Sequence, residues 1–131
     1  RHIVTDTTGL PVALRVHSAG SQDRDGAPEV LKSVAARYRT LHHIFADGGY
    51  AGPKLRDALK AAGCRTVQIV KRSDIANGFE VLPRRWVAGP TLAWLGRCRR
   101  LAKDWENLIA SAEAWVLIAH IRRVARYLAR I

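Results

Sequence analysis

The run LHHIFADGGYAGPKLRDALKAAG, residues 41–63, carries strand, turn and helix signals in immediate succession. Leu41-His42-His43-Ile44-Phe45-Ala46 is a short, mostly apolar run of strand length, and it stops at Asp47-Gly48-Gly49-Tyr50. Gly52-Pro53 opens a helix through Ala62, because proline at the start of a helix loses no hydrogen bond and has its φ already set. Leu55 and Leu59 share one face of that helix, and Gly63 is its stop. Thr66 to Val70 follows as a strand, with Val67, Ile69 and Val70 β-branched. A strand, a helix and a second strand in a row predict an α/β fold.

The flanking sequence extends this order. His2–Thr5 and Pro11–Ser18 read as two strands of a hairpin, with Asp6-Thr7-Thr8-Gly9 as the turn. Residues 19–26 are polar loop, and Asp25 is placed to cap a helix Ala27–Tyr38, where Val30, Leu31, Val34 and Ala35 recur at helical spacing. Ser73–Pro83 reads as loop, followed by a helix from Pro90 to about Ala102 and a longer one from about Glu106 to Ala129. In the last helix Leu117, Ile121, Val124, Leu128 and Ile131 form an apolar stripe, while Arg122, Arg126 and Arg130 line another face. Trp94, Cys98, Leu101 and Trp105 fall at i, i+4, i+7 and i+11, a spacing expected of core packing. The order β-β-α-β-α-β-α-α predicts a mixed sheet with flanking helices.

At 131 residues and 48% hydrophobic the chain is one domain or part of one, with enough apolar side chains for a core. The charge is lopsided: 22 Lys and Arg face 11 Asp and Glu, a net +11. Residues 1–80 hold 12 basic and 8 acidic side chains, and residues 81–131 hold 10 and 3, so the cationic character concentrates in the second part. Such a balance points to a polyanionic partner, nucleic acid before a membrane surface. Cys64 and Cys98 stand 34 residues apart without a CxxC companion, which argues against a zinc site, and Cys98 reads as a small buried hydrophobe. No signal peptide or membrane-length apolar run appears, and a cytoplasmic location is expected. With no Met anywhere and strand-like residues from the outset, the chain is expected to begin inside a fold.

Two features bear on chemistry. Asp47 ends an apolar strand and is followed by two glycines, a place where carboxylates hold Mg²⁺ for phosphoryl transfer; an Asx-type turn between strand and helix is the plainer alternative. His42 and His43 are neighbours on a strand, point to opposite faces and so do not share a metal. The run LPRRWVAGPTLAWLGRCRRLAKDWE, residues 82–106, sets Arg84, Arg85, Arg97, Arg99, Arg100 and Lys103 among Trp86, Trp94 and Trp105. Guanidinium forks match phosphate oxygens, so these six cations are the expected DNA-backbone contacts, which position a duplex without reading it. An unrelated basic RNA-binding protein is the competing reading.

Phe45-Ala46-Asp47-Gly48-Gly49-Tyr50-Ala51-Gly52 resembles the second catalytic aspartate segment of the DDE transposases of bacterial insertion sequences, of the IS-four-like and IS-five-like kind. Arg84-Arg85-Trp86, with the run from Thr91 to Glu106, is similar to their third-acid helix and the segment after it, and Gln22–Ala27 and Arg1–Val4 extend the likeness over nearly the whole chain. The resemblance implies a ribonuclease-H-like fold truncated at its N-terminus, with a long C-terminal helix. Residues 1–80 would carry the sheet and the second aspartate, and 81–131 the basic helical part. It also implies a mobile-element enzyme of DNA transposition and recombination, cleaving and joining strands with Mg²⁺ or Mn²⁺. Asp47 would be the catalytic and metal-binding acid, and Arg85 would hold DNA near the scissile phosphate.

The departures are specific. The family's first aspartate would lie upstream of Arg1, since Asp6 falls in a hairpin turn. The third acid falls on Gly89, with Pro90 after it as the first helical residue; Leu82 replaces a tyrosine and Gly96 a lysine, beside Arg97. Glu80, Glu106 and Glu113 are out of register to replace the lost acid. Two-metal phosphoryl transfer needs several carboxylates around ions ~3.5–4 Å apart, so a DNA-binding fragment inactive by itself is expected. The alternative is a non-catalytic DNA-binding or regulatory remnant. Expected partners are DNA and a homodimer or full-length transposase, with no membrane.

Overall fold

The computed structural model describes residues 1–61, 63, 66–70 and 87–131. Element order is β1 (His2–Thr5), β2 (Pro11–Arg15), α1 (Asp23–Arg37), β3 (His43–Asp47), α2 (Pro53–Ala61), β4 (Thr66–Val70), α3 (Ala88–Gly96) and α4 (Ile109–Leu128), with 3-10 turns at Gly48–Tyr50 and Arg99–Leu101. It is a mixed α/β arrangement, as the hydrophobic periods predict. The expected mixed sheet is instead two pairs among the described residues: β1 with β2, antiparallel, and β3 with β4, parallel. β1 and β3 therefore each have one hydrogen-bonded neighbour there.

The β1–β2 hairpin lies between two cores. Strand side chains alternate in direction. Val4 packs towards a cluster of Ala27, Leu31, Ile44, Leu55 and Leu59, while Ile3 and its cross-strand partner Leu14 pack towards Leu95, Leu101, Val116 and Ala119. α1, α2 and the β3–β4 pair thus share one core with the hairpin, and α3 and α4 share the other. The turn is held by Asp6, whose Oδ1 accepts from Thr8 N (2.8 Å), Thr8 Oγ1 (2.7 Å) and Leu10 N (2.9 Å). Burial alone would raise this carboxyl, but the hydrogen bonds of the turn outweigh it and hold it below the usual carboxylate range.

Several boundaries differ from expectation for identifiable reasons. β2 stops at Arg15 because the Val16 amide donates to Glu113 Oε1 on α4 (3.0 Å) instead of continuing a ladder. α1 begins at Asp23 behind Gln22, so Asp25 is an intrahelical residue, and its carboxylate takes Lys54 Nζ of α2 (2.6 Å) in place of capping. α3 starts two residues before Pro90 and ends at Gly96, where Arg97 N and Cys98 N turn back to Trp94 O and Leu95 O and Cys98 becomes extended. The tryptophan spacing is therefore only partly core. Leu101 is buried, Trp94 and Cys98 pack on the cluster, but Trp105 lies outside any helix and is 59% exposed. Of the expected apolar stripe, Leu117, Ile121 and Leu128 are exposed on α4, Val124 is half-buried and Ile131 lies past the helix end; the side that meets the domain is Ala112, Val116 and Ala119.

The hairpin turn and the two C-terminal helices meet at a buried polar node. Thr91, 1% exposed, donates its hydroxyl to Gly9 O (2.7 Å), and Arg123 Nη1 donates to the same carbonyl (3.1 Å) and to Thr91 Oγ1 (3.2 Å). The Arg123 guanidinium also lies over Trp94, 5.6 Å from its ring centre. Gly9 has φ +82°, and a Cβ there would sit 3.0 Å from Thr91 Oγ1, so backbone and contact both demand glycine. A Thr91→Val protein is expected to lose about 1–2 kcal/mol, since a buried hydroxyl that two partners use is removed without creating a large cavity. Urea unfolding checks this; a loss no greater than that of an exposed control such as Leu92→Ala would refute the role of the node.

Candidate functional site

Asp47 is the last residue of β3 and exposed. Its backbone is extended, and its carboxylate accepts from the Gly48 amide, so it caps the 3-10 turn Gly48–Tyr50. The geometry is that of the plainer alternative, a strand-end acid that caps the turn after it. On the other side of the turn lies Asp23, from the first turn of α1. A Cβ placed on Gly49 would come 3.5 Å from Asp23 Oδ2. Ser21, Gln22, Asp23, Gly48, Gly49 and Ala51 line an open concavity of about 600 Å³ at this point.

Under the turn sits a buried aromatic group. His2, 4% exposed, has Nδ1 3.1 Å from Tyr50 Oη, and its ring stands edge-on to His17 (5.0 Å) and Tyr50 (6.0 Å). His17 Nε2 is buried without a hydrogen-bond partner. Burial raises the Tyr50 phenol above its ordinary value, and the charges of Asp23 and Asp47 push it the same way. Both carboxylates therefore act on this phenol. Burial lowers the His2 imidazole, with the α-amino group and His17 adding to the effect and Asp23 opposing it. α1 approaches closely enough that a Cβ on Gly26 would fall 2.5 Å from His2 Nε2 and 2.8 Å from His17 Cδ2.

Tyr50, Asp23 and His2 lie within the segments that carry the likeness without a role predicted for them, and His17 lies outside those segments. Asp23 stands in a polar stretch indistinguishable from a loop, and only the packing of α1 on the hairpin brings it to Gly49. Of the expected DNA contacts, Arg97, Arg99, Arg100 and Lys103 are exposed in the connection from α3 to α4. Arg100 Nε pairs with Glu106 Oε1 (2.6 Å) and its guanidinium lies over Trp115; Lys103 Nζ lies over Trp105 (5.6 Å). Arg84 and Arg85, with Leu82 and Glu80, lie outside the described residues. Gly89 is in the first turn of α3, with nothing within 4 Å of a Cβ built there. Glu113 is spent on Val16 N and Arg15.

A divalent ion of the kind the resemblance implies does not fit the donors of the described residues. Among the described residues no three His, Cys, Asp or Glu side chains converge where they would share a metal. Among them, too, no helix is long and apolar enough to cross a membrane. A family model for the transposase DDE domain matches residues 1–123. A Burkholderia cepacia protein described as a candidate transposase for insertion sequence element IS402 is 31% identical over 113 residues, covering 81% of this chain and 53% of that protein. The chain thus spans about half the length of that relative. No solved structure matches.

Two outcomes are expected of the buried ring cluster. Gly26→Ala should gain up to ~1 kcal/mol of helix propensity yet lose about 1–3 kcal/mol to overpacking against two buried rings, so thermal unfolding should show net destabilisation. The folded state binds a proton on His2 less readily than the unfolded chain does. Its contribution is therefore complete above the ordinary value of 6.5 and is lost as pH falls below it. His120, lowered by burial and then by Arg123, acts in the same sense. Urea midpoints at pH 8 and pH 5 should differ less in His2→Gln than in the parent; an unchanged difference would exclude His2.

Proposed function

The chain belongs to the transposase DDE domain family, and we propose that it is a DNA-gripping C-terminal part of such a catalytic domain, inactive in strand cleavage by itself. The observation that carries this reading is the connection Arg97–Lys103, where four exposed cations stand within seven residues. Guanidinium groups at that density bind phosphate oxygens, and an exposed Trp105 beside Lys103 adds a ring on which a base can stack. The ribonuclease-H-like assignment supplies the rest. A first strand carrying the family's first acid could pair with β1 or β3, each of which has one hydrogen-bonded neighbour among the described residues.

The inactive reading is supported by the donor set. Asp23 is the carboxylate that lines the concavity, Asp47 caps the turn beside it, the resemblance puts the third acid at Gly89, and no metal-binding group of three forms among the described residues. Strand cleavage is not routed through this chain. The same facts favour the second reading, a non-catalytic DNA-binding or regulatory remnant that associates with a full-length transposase.

Duplex binding across a salt series tests the proposal. Four phosphate contacts predict a log–log slope of about −3 to −4, which is a loss of about a hundredfold in affinity between 50 and 200 mM salt. Changing Arg97, Arg99 and Lys103 to Gln should remove most of that slope. Binding that ignores salt would refute the DNA reading, and equal affinity for RNA would favour the unrelated RNA-binding alternative. Gly89→Glu, for which α3 has room, should leave the chain without Mn²⁺-dependent nicking; nicking by the parent chain would overturn the claim of inactivity.

A further inference from the structure

We infer that the bend between α3 and α4 takes hold of unpaired DNA, with Trp105 as the platform on which one of its bases stacks. That ligand presupposes the DNA reading above and narrows it to strands whose bases are open. From Arg97 to Trp105 the chain carries four cations and one carboxylate, Asp104. The bend is anchored. Leu101 is buried in the core of α3 and α4, and its carbonyl accepts from Arg1 Nη1 (3.0 Å). Arg100 is held between Glu106 Oε1 (2.6 Å) and the ring of Trp115. Arg97, Arg99 and Lys103 stand exposed around these fixed points, so ordering the backbone costs little when a ligand binds.

Beside the cations the fold leaves apolar surface in water. Trp105 is 59% exposed, Leu108 69% and Ile109 50%, and none of the three belongs to either core cluster. Tryptophan is deeply buried in the average fold, so packing alone does not select this exposure. Lys103 Nζ lies over the indole, 5.6 Å from its centre, which occupies one face and leaves the other for a planar group.

Chemistry selects the occupant. A duplex presents phosphates and groove edges, while its base faces are stacked on one another. An indole reaches such a face only by prising a step apart or by taking a nucleotide out of the stack. An unpaired strand offers phosphates and base faces together, so it serves both parts of the bend at once. Arg97, Arg99 and Lys103 take the backbone and Trp105 takes a base. Every base has a π-face, so the grip carries no strong sequence preference. An acidic peptide would match the cations and leave the indole without a planar partner. An anionic lipid surface would match the cations and the apolar side chains, and the vesicles below separate it from DNA.

The test uses two labelled probes with equal numbers of phosphates: a blunt duplex, and a shorter duplex with a single-stranded tail of about six thymidylates. Fluorescence anisotropy with the full chain should show the tailed probe binding about tenfold more tightly. Trp105→Ala should abolish that advantage, with blunt-duplex affinity kept within about threefold and helical content unchanged, and Trp105→Phe should keep most of it. Equal affinity of the parent chain for both probes would overturn the proposal, and would leave the DNA reading standing if the blunt duplex binds with the expected salt slope. Binding to neither probe would refute both. An equal loss on the two probes in Trp105→Ala would make the indole a duplex contact or a part of the fold, which also overturns the proposal. So would a uridylate tail that binds more tightly than the thymidylate tail, or phosphatidylglycerol vesicles that outcompete the tailed probe for the parent chain but not for Trp105→Ala.

Discussion

The Gly9 carbonyl is the point on which the two halves of the molecule depend. It accepts from a buried threonine hydroxyl on α3 and from an arginine on α4, and the three groups close a triangle. Leaving the buried Thr91 hydroxyl unpaired would cost about 1–3 kcal/mol, a sizeable share of the stability of a small domain. Satisfied together, and with the guanidinium over Trp94, they turn that liability into a register mark. The hairpin can meet α3 and α4 in one way, and Ile3 and Leu14 then fall onto Leu95, Leu101, Val116 and Ala119. Two further ties, from Glu113 to the end of β2 and from Arg1 to Leu101 O, hold the same alignment at the hairpin's open end.

The other face of the hairpin does different work. It carries His2 into contact with Tyr50 and His17 beneath the turn that Asp47 caps. Gly26 allows α1 to come down onto these rings, and that approach brings Asp23 across Gly49. The concavity between α1 and the turn is therefore a consequence of packing around the buried His2 and the half-buried His17. In the α3–α4 connection the logic is reversed. Helix α3 ends early, so Arg97, Arg99, Arg100 and Lys103 are spread over an exposed bend instead of along one helix. The interrupted backbone leaves all four cations exposed.

Much of this architecture was legible in residue order. The strands at His2–Thr5 and Thr66–Val70, the hairpin turn at Asp6–Gly9 and the helix stopping at Gly63 follow from β-branched runs, from side chains that cap turns and from glycine's access to positive φ. Asp47 was visible as a strand-end acid because an apolar run stops there. Asp23 was not, because a polar residue among polar residues carries no local sign of what packs against it. The α4 stripe misleads for a related reason. Periodicity reports that a helix has an apolar side, but α4 has two, and small residues on the side that was less conspicuous allow the closer approach.

What the sequence alone determined is therefore local and compositional: element types, the cationic C-terminal part and the family. Those properties depend on neighbours within a turn or two, or on sums over the chain. The tertiary structure decided which side of α4 is core, that the strands form two separate pairs among the described residues, that Trp105 is exposed, and that Asp23 comes to Gly49. Each of these is set by contacts between residues far apart in the chain, and the free energy of such contacts comes from shape and burial that no single segment encodes.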